Sequence, residues 1–264
     1  MTDELNSCRI CGEFVLQIPG WSYYVPSYTL LRAEWRSDAP FFEGALHFSC
    51  LSGWEHREAF LAEIRTIMTG YGKSLMFEAG GETHTPHQPG FHFGDPIYRG
   101  EGCEIFRHTA TDSWLVLTRR GPWFRLEREQ LATLAEHGTA RAAGGGERTE
   151  LPEGPALAAE EVSGMGLAEL LDLLGSADRY PGLSEGAPEY TVWSFHERKR
   201  VLEYSVAVDL PLPAPARTFL ASYAREYQPI VLDDEPDSAE GSGGDAGRKP
   251  GGRDPGGAPP APRG

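Results

Sequence analysis

The chain has 264 residues, 40% of them hydrophobic, enough to enclose a core in one large or two modest domains. A net charge of -15 works against attraction to nucleic-acid phosphate or anionic lipid. No run of eighteen apolar residues occurs and the first residues are acidic, so a cytoplasmic protein with neither membrane nor nucleic acid as partner is expected.

The four cysteines are Cys8, Cys11, Cys50 and Cys103. In a reducing compartment, closely paired thiols point to metal or redox work rather than to disulfides. Cys8 and Cys11 are two residues apart, and Gly12 lets the backbone fold back so that both sulfurs aim at one point. The stretches "EFVLQI" and "YTLLRAEW" that follow read as strands. His47 and Cys50 repeat the spacing of the first pair. After them Ser52 and Glu55 are placed to form a capping box, and Trp54, Phe60, Leu61, Ile64, Ile67 and Met68 make the stripe of an amphipathic helix. Two such N/S pairs are the donor set of one tetrahedral structural zinc ion, with ligands Cys8, Cys11, His47 and Cys50 and no open position for substrate.

Knuckle, strands and a helix bearing the second pair together resemble the treble-clef class of zinc fold. The order Cys-x-x-Cys then His-x-x-Cys, with "FFEGALHFSCL" around the second pair, resembles more narrowly the PARP-type zinc finger over residues 5–70. The loop between the pairs is longer than that family's usual spacing. The resemblance implies recognition of DNA ends. Charge opposes this, because residues 1–70 hold nine acidic and five basic side chains, and Arg9, Arg32, Arg36, Arg57 and Arg65 are scattered.

Next comes a Gly- and Pro-rich stretch holding His84, His87 and His92, with Asp95 and Cys103 downstream as further donors for a second, catalytic metal; its composition reads better as an ordinary loop. "CEIFRH" and "SWLVLT" flank "TATD" as a hairpin, and a helix is expected over 126–137. Residues 138–163 have the composition of a flexible linker, and Leu167, Leu170, Leu171 and Leu174 mark a short amphipathic helix. "YTVWSFH" and "VLEYSVAVDL" then form a second hairpin around "ERKR". In it Leu202, Tyr204, Val206, Val208 and Leu210 alternate inward while Glu203, Ser205 and Asp209 point outward. A helix with Pro at its entrance closes this unit, so that hairpin-plus-helix occurs twice, as in a duplication. From Asp233 the acidic and then Pro/Gly-rich tail has too few apolar residues to offset its ordering entropy and is expected to be disordered.

The expected fold is therefore α+β: a treble-clef-like zinc module over 1–72, a hairpin plus helix over 73–137, a linker over 138–163, a second helix, hairpin and helix unit over 164–232, and a tail over 233–264. Catalytic signatures are missing: no Gly-rich phosphate loop ending in Lys-Ser or Lys-Thr, no Gly-x-Ser-x-Gly elbow, no His-Glu-x-x-His helix. Glu55, His56 and Glu58 read as a solvated helix face, and Glu104 beside Cys103 opposes a reactive thiolate. Trp21, Tyr23, Tyr24, Tyr28, Trp35, Phe41 and Phe42 crowd the insertion between the ligand pairs, as anchors for a protein partner or as a core between domains. The reading reached is a non-catalytic, zinc-stabilised module that binds a basic protein partner as adaptor or inhibitor. A PARP-like nucleic-acid binder and a metal-dependent hydrolase are the alternatives.

Overall fold

The architecture is taken from a computed structural model, in which residues 6–25, 44–69, 77–79, 82–84, 95–108, 112–145, 149–151, 165–183 and 201–229 are described. The fold is α+β, and every strand pair in it is antiparallel.

The N-terminal segment departs from the expected strand over "EFVLQI". It holds only a single bridge between Ser7 and Phe14. The first strand, β1 (Ser22–Val25), pairs with β2 (Gly44–His47), Ser22 standing opposite His47 and Val25 opposite Gly44. "YTLLRAEW" lies outside the described residues.

Helix α1 (Phe48–Gly53) starts directly on β2, earlier than the capping box at Ser52 and Glu55 would place a helix. Ser52 does not cap: its hydroxyl donates back to the Phe48 carbonyl at 2.9 Å inside α1. The long amphipathic helix is α2 (Arg57–Thr69), which buries Phe60, Ile64 and Met68. Removing side chains of that size from water stabilises by about 2 kcal/mol each, which is what fixes this helix on the sheet.

The short pair β3 (Phe77–Ala79) and β4 (Glu82–His84) precedes the central sheet. That sheet is a meander of β5 (Asp95–Arg99), β6 (Cys103–His108), β7 (Ser113–Thr118) and β8 (Trp123–Leu126). The expected "CEIFRH"–"SWLVLT" hairpin is β6 and β7, with Ile105 opposite Val116. Residues 123–126 form β8, so the helix expected over 126–137 begins two residues later, as α3 (Arg128–His137). Its start is set at Glu127, whose N–H donates to Gln130 Oε1 at 2.7 Å, and its end by Gly138 in the left-handed region.

The sheet is covered on both sides, so β7 is buried almost throughout, an apolar run with little alternation. Phe106, Leu115, Leu117 and Trp123 face the segments around Cys8 and β2, and α2. Ile105, Trp114, Val116, Phe124 and Leu126 face α3 and the last helix.

Within the expected linker, Arg141–Gly145 is strand β9 and Thr149–Glu150 is β10. After helix α4 (Leu167–Leu173) and a 3₁₀ turn at Ala177–Arg179 come β11 (Val201–Leu202) and β12 (Ser205–Asp209). Among the described residues β12 pairs with β9, and β11 pairs with β10. "YTVWSFH", the first strand of the expected second hairpin, lies outside the described residues, and with it the hairpin and the duplication built on it. The alternation along β12 holds, with Leu202, Tyr204, Val206, Val208 and Leu210 all buried. Helix α5 (Ala214–Glu226) begins at Pro213, as its sequence indicates, and packs on α3. A third cluster joins Leu16, Ile18 and Trp21 to Leu167, Leu170, Leu171, Tyr180 and the inward face of β12. The tail from Asp233 lies outside the described residues.

Candidate metal centre

Two local devices build the cluster. In the first, the Gly12 N–H donates to the Cys8 carbonyl at 2.7 Å and the Cys8 N–H to the Glu13 carbonyl at 2.7 Å, closing a knuckle that requires Gly12 at φ +79°. The knuckle is tied to β2 by the Arg9 N–H, which donates to the Ala45 carbonyl at 2.9 Å. In the second, β2 runs straight into α1, so His47 is the N-cap and Cys50 the third helical residue. N-cap and N3 side chains lie side by side at a helix start. Here neither serves the backbone; both turn to a common point.

At that point the donor atoms of Cys8, Cys11, His47 and Cys50 all lie within 4.8 Å of one another. The His47 Nδ1 is 3.7 Å from both Cys11 Sγ and Cys50 Sγ. A tetrahedral ion with ordinary zinc–sulfur and zinc–nitrogen bonds sets those atoms about 3.6 Å apart, close to both of these distances. His47 and Cys8 are buried, while Cys11 and Cys50 are half-buried.

The electrostatics agree. Crowded this closely, the thiols share protons. The Cys8 sulfur, which accepts from Cys50, is drawn down to about 3; the Cys50 thiol is pushed up by that same hydrogen bond and by burial; Cys11 is pushed up by burial. Three thiolates in this volume repel unless a cation sits among them, and a divalent ion removes that conflict. The four residues can therefore hold a metal ion, and their chemistry is consistent with zinc.

A cover over the centre was not visible in the sequence. The turn at 176–181 closes on it from more than a hundred residues away. Arg179 donates to both carboxylate oxygens of Glu13, at 2.7 and 2.9 Å, and the Arg179 carbonyl accepts from Ser49 Oγ at 2.7 Å. The Glu13 hydrogen bond raises the Arg179 pKa, and the nearby Cys50 sulfur adds to the effect. The Tyr180 ring stands edge-on to His47, centroids 5.3 Å apart. Its hydroxyl accepts from the Leu16 N–H at 2.8 Å and donates to the Leu16 carbonyl at 2.9 Å. Trp21 Nε1 donates to the Pro181 carbonyl at 3.0 Å.

Among the described residues, the remaining candidates do not join the cluster. Cys103 is buried in β6 on the α3 and α5 side, and burial pushes its thiol up, the state of an unreactive packing residue. His84 ends β4 and Asp95 begins β5, while His87 and His92 lie outside the described residues. Glu55 and His56 occupy the turn before α2, and Glu58 pairs with Arg57 at the surface. Trp21 is buried with α4, and Tyr23 packs edge-on against Trp123 at 4.9 Å, so these aromatics build core between segments instead of an exposed anchor. Tyr28, Trp35, Phe41 and Phe42 lie outside the described residues. A cavity of about 740 Å³ between α2 and the sheet is lined by Arg65, Arg99, Glu104 and Trp123 among others, and by none of the four cluster residues. Among the described residues no helix is long and apolar enough to cross a membrane. No known protein family, curated protein or solved structure matches this chain.

Proposed function

We propose that Cys8, Cys11, His47 and Cys50 bind one zinc ion as a structural centre in a treble-clef-like N-terminal module, and that the chain is a non-catalytic cytoplasmic module that binds a basic protein partner, as adaptor or inhibitor. The observation that carries the metal part is the 3.7 Å spacing of both half-buried sulfurs from one imidazole nitrogen, in a set of four donors that fills a tetrahedron. Such a set leaves no coordination position for water or substrate, so the ion's role is to hold the knuckle on the strand–helix junction. Support for a basic protein partner comes from the charge of -15, which speeds encounter with cationic surfaces and disfavours phosphate backbones.

The test is in two steps. Metal analysis of the purified chain is expected to give one zinc per molecule; none would end the zinc reading, and two would favour a second, hydrolytic site. The metal-loaded chain, immobilised, is then expected to retain basic proteins in a salt-sensitive way and not to shift duplex DNA ends in a gel. Salt-dependent DNA binding without protein retention would overturn the protein-binding reading in favour of the PARP-like one.

A further inference from the structure

We propose that Arg179 and Tyr180 are the outer shell of the metal centre, and that residues 165–183 form a latch which docks when the centre is loaded and releases when it is emptied. The proposal rests on the metal reading above and adds a regulated segment to it.

Three observations converge. First, three contacts of the 176–181 turn fall on the cluster or on residues beside it. Glu13 follows Cys11 by two residues, Ser49 lies between His47 and Cys50, and His47 is itself a ligand. Side chains that orient metal ligands contribute strongly to metal affinity when they are held this way. Second, three thiolates, one neutral imidazole and a divalent ion sum to a charge of about -1, and Arg179 is a cation held beside Cys50 by a two-pronged ion pair with Glu13. The ion ties the side chains of the knuckle, which carries Glu13, to α1, which carries Ser49, so emptying the centre loosens the two surfaces that Arg179 bridges. Third, the latch is built on a helix of only seven residues, α4, which is too short to persist by itself and depends on packing against Leu16, Ile18 and Trp21. Loss of the Arg179 and Tyr180 contacts therefore leaves so short a helix held by that packing alone, and its opening exposes Leu167, Leu170 and Leu171.

Linkage makes the coupling reciprocal: if the ion strengthens docking, docking must strengthen ion binding by the same factor. Both directions can be read in the full-length chain after its zinc content has been measured. Amide hydrogen exchange over 167–180 is expected to accelerate at least about tenfold on chelation while the amides of β6 and β7 keep their protection. Zinc release to a chromogenic chelator is expected to be about tenfold faster for Arg179→Ala than for wild type, with Arg179→Lys in between and Arg217→Ala unchanged.

A wild-type chain that binds no metal would defeat the metal reading, and the latch with it. One bound zinc with unchanged release from both Arg179 variants and unchanged exchange would overturn the latch alone. So would loss of protection everywhere on chelation, because the ion would then hold the whole chain rather than one segment. If Arg179→Ala does not fold, the exchange comparison in wild type still decides.

Discussion

Replacing Tyr180 by Phe keeps the ring against His47 and deletes one hydroxyl that serves both polar groups of Leu16. The two groups do not suffer equally. The Leu16 carbonyl keeps two other donors, Ser22 Oγ at 2.6 Å and the Ile18 N–H at 2.9 Å, so it remains satisfied. The Leu16 N–H has Tyr180 as its hydrogen-bond acceptor, and Leu16 is only 1% exposed, so water cannot replace the hydroxyl. Two hydrogen bonds are each worth about 1 kcal/mol net, and one orphaned buried donor keeps the sum from being softened, giving a loss of about 2 kcal/mol. Urea unfolding at neutral pH would read this as a lower midpoint at unchanged slope, with the metal content unchanged.

The same side chain gives an alkaline signature. Burial holds the Tyr180 phenol well above its ordinary value of 10.0, so the native state keeps a proton that the unfolded chain releases. Wild-type stability must then fall as pH rises above 10, and the deficit of Tyr180→Phe must shrink there. A loss below about 0.5 kcal/mol at neutral pH, or a deficit that does not change with alkaline pH, would refute the assignment of this hydroxyl as a structural clamp.

Cys50→Ser is expected to lower zinc below one per chain and to reduce the thermal midpoint by about 5 °C or more, read by metal analysis and calorimetry on the same sample. Glu104→Gln tests an ion pair. Hydrogen bonding from Arg65 holds the Glu104 carboxyl below its ordinary 4.5, so its contribution is present above pH 4.5 and disappears as pH falls through the lowered value. Acid unfolding of the variant is expected to be flatter in that range, by less than about 1 kcal/mol because both partners are partly solvated. Gly144→Ala would set a methyl 2.6 Å from the Gln17 carbonyl oxygen and 2.7 Å from Pro19 Cδ, and the backbone has little room to yield. A loss of about 2 kcal/mol in denaturant unfolding is expected; an unchanged midpoint would mean that β9 does not lie where it is described.

The parts legible in the sequence are those where the signal is local. Cys8 with Cys11, and His47 with Cys50, each announce one turn, and β12 announces itself through alternation that a single buried face requires. The helix boundaries moved because neighbouring features compete. Ser52 and Glu55 look like a cap, yet the chain already turns helical at Phe48 because β2 ends at His47. Strand β8 was hidden by the charged residues after it, which favour helix, while its own Trp123 and Phe124 are fixed by burial on opposite faces of the sheet. Strand β9, "RAAGG", has a linker's composition because Gly144 admits the close approach of Gln17 and Pro19, and Gly145 that of Tyr204. No local pattern could expose the Glu13–Arg179 pair, whose partners are 166 positions apart.

The register of β1 and β2 bears on how this protein can vary. Val25 and Gly44 face each other across the ladder, so residues 26–43 depart from and rejoin the scaffold at one rung. For a flexible connection whose ends are fixed at one rung, each doubling of length adds only about 0.6 kcal/mol of closure entropy. The cost of bringing Cys8 and Cys11 to His47 and Cys50 is thus set by the pairing of β1 with β2 more than by the number of residues between them, and that rung is a natural place to graft a reporter peptide.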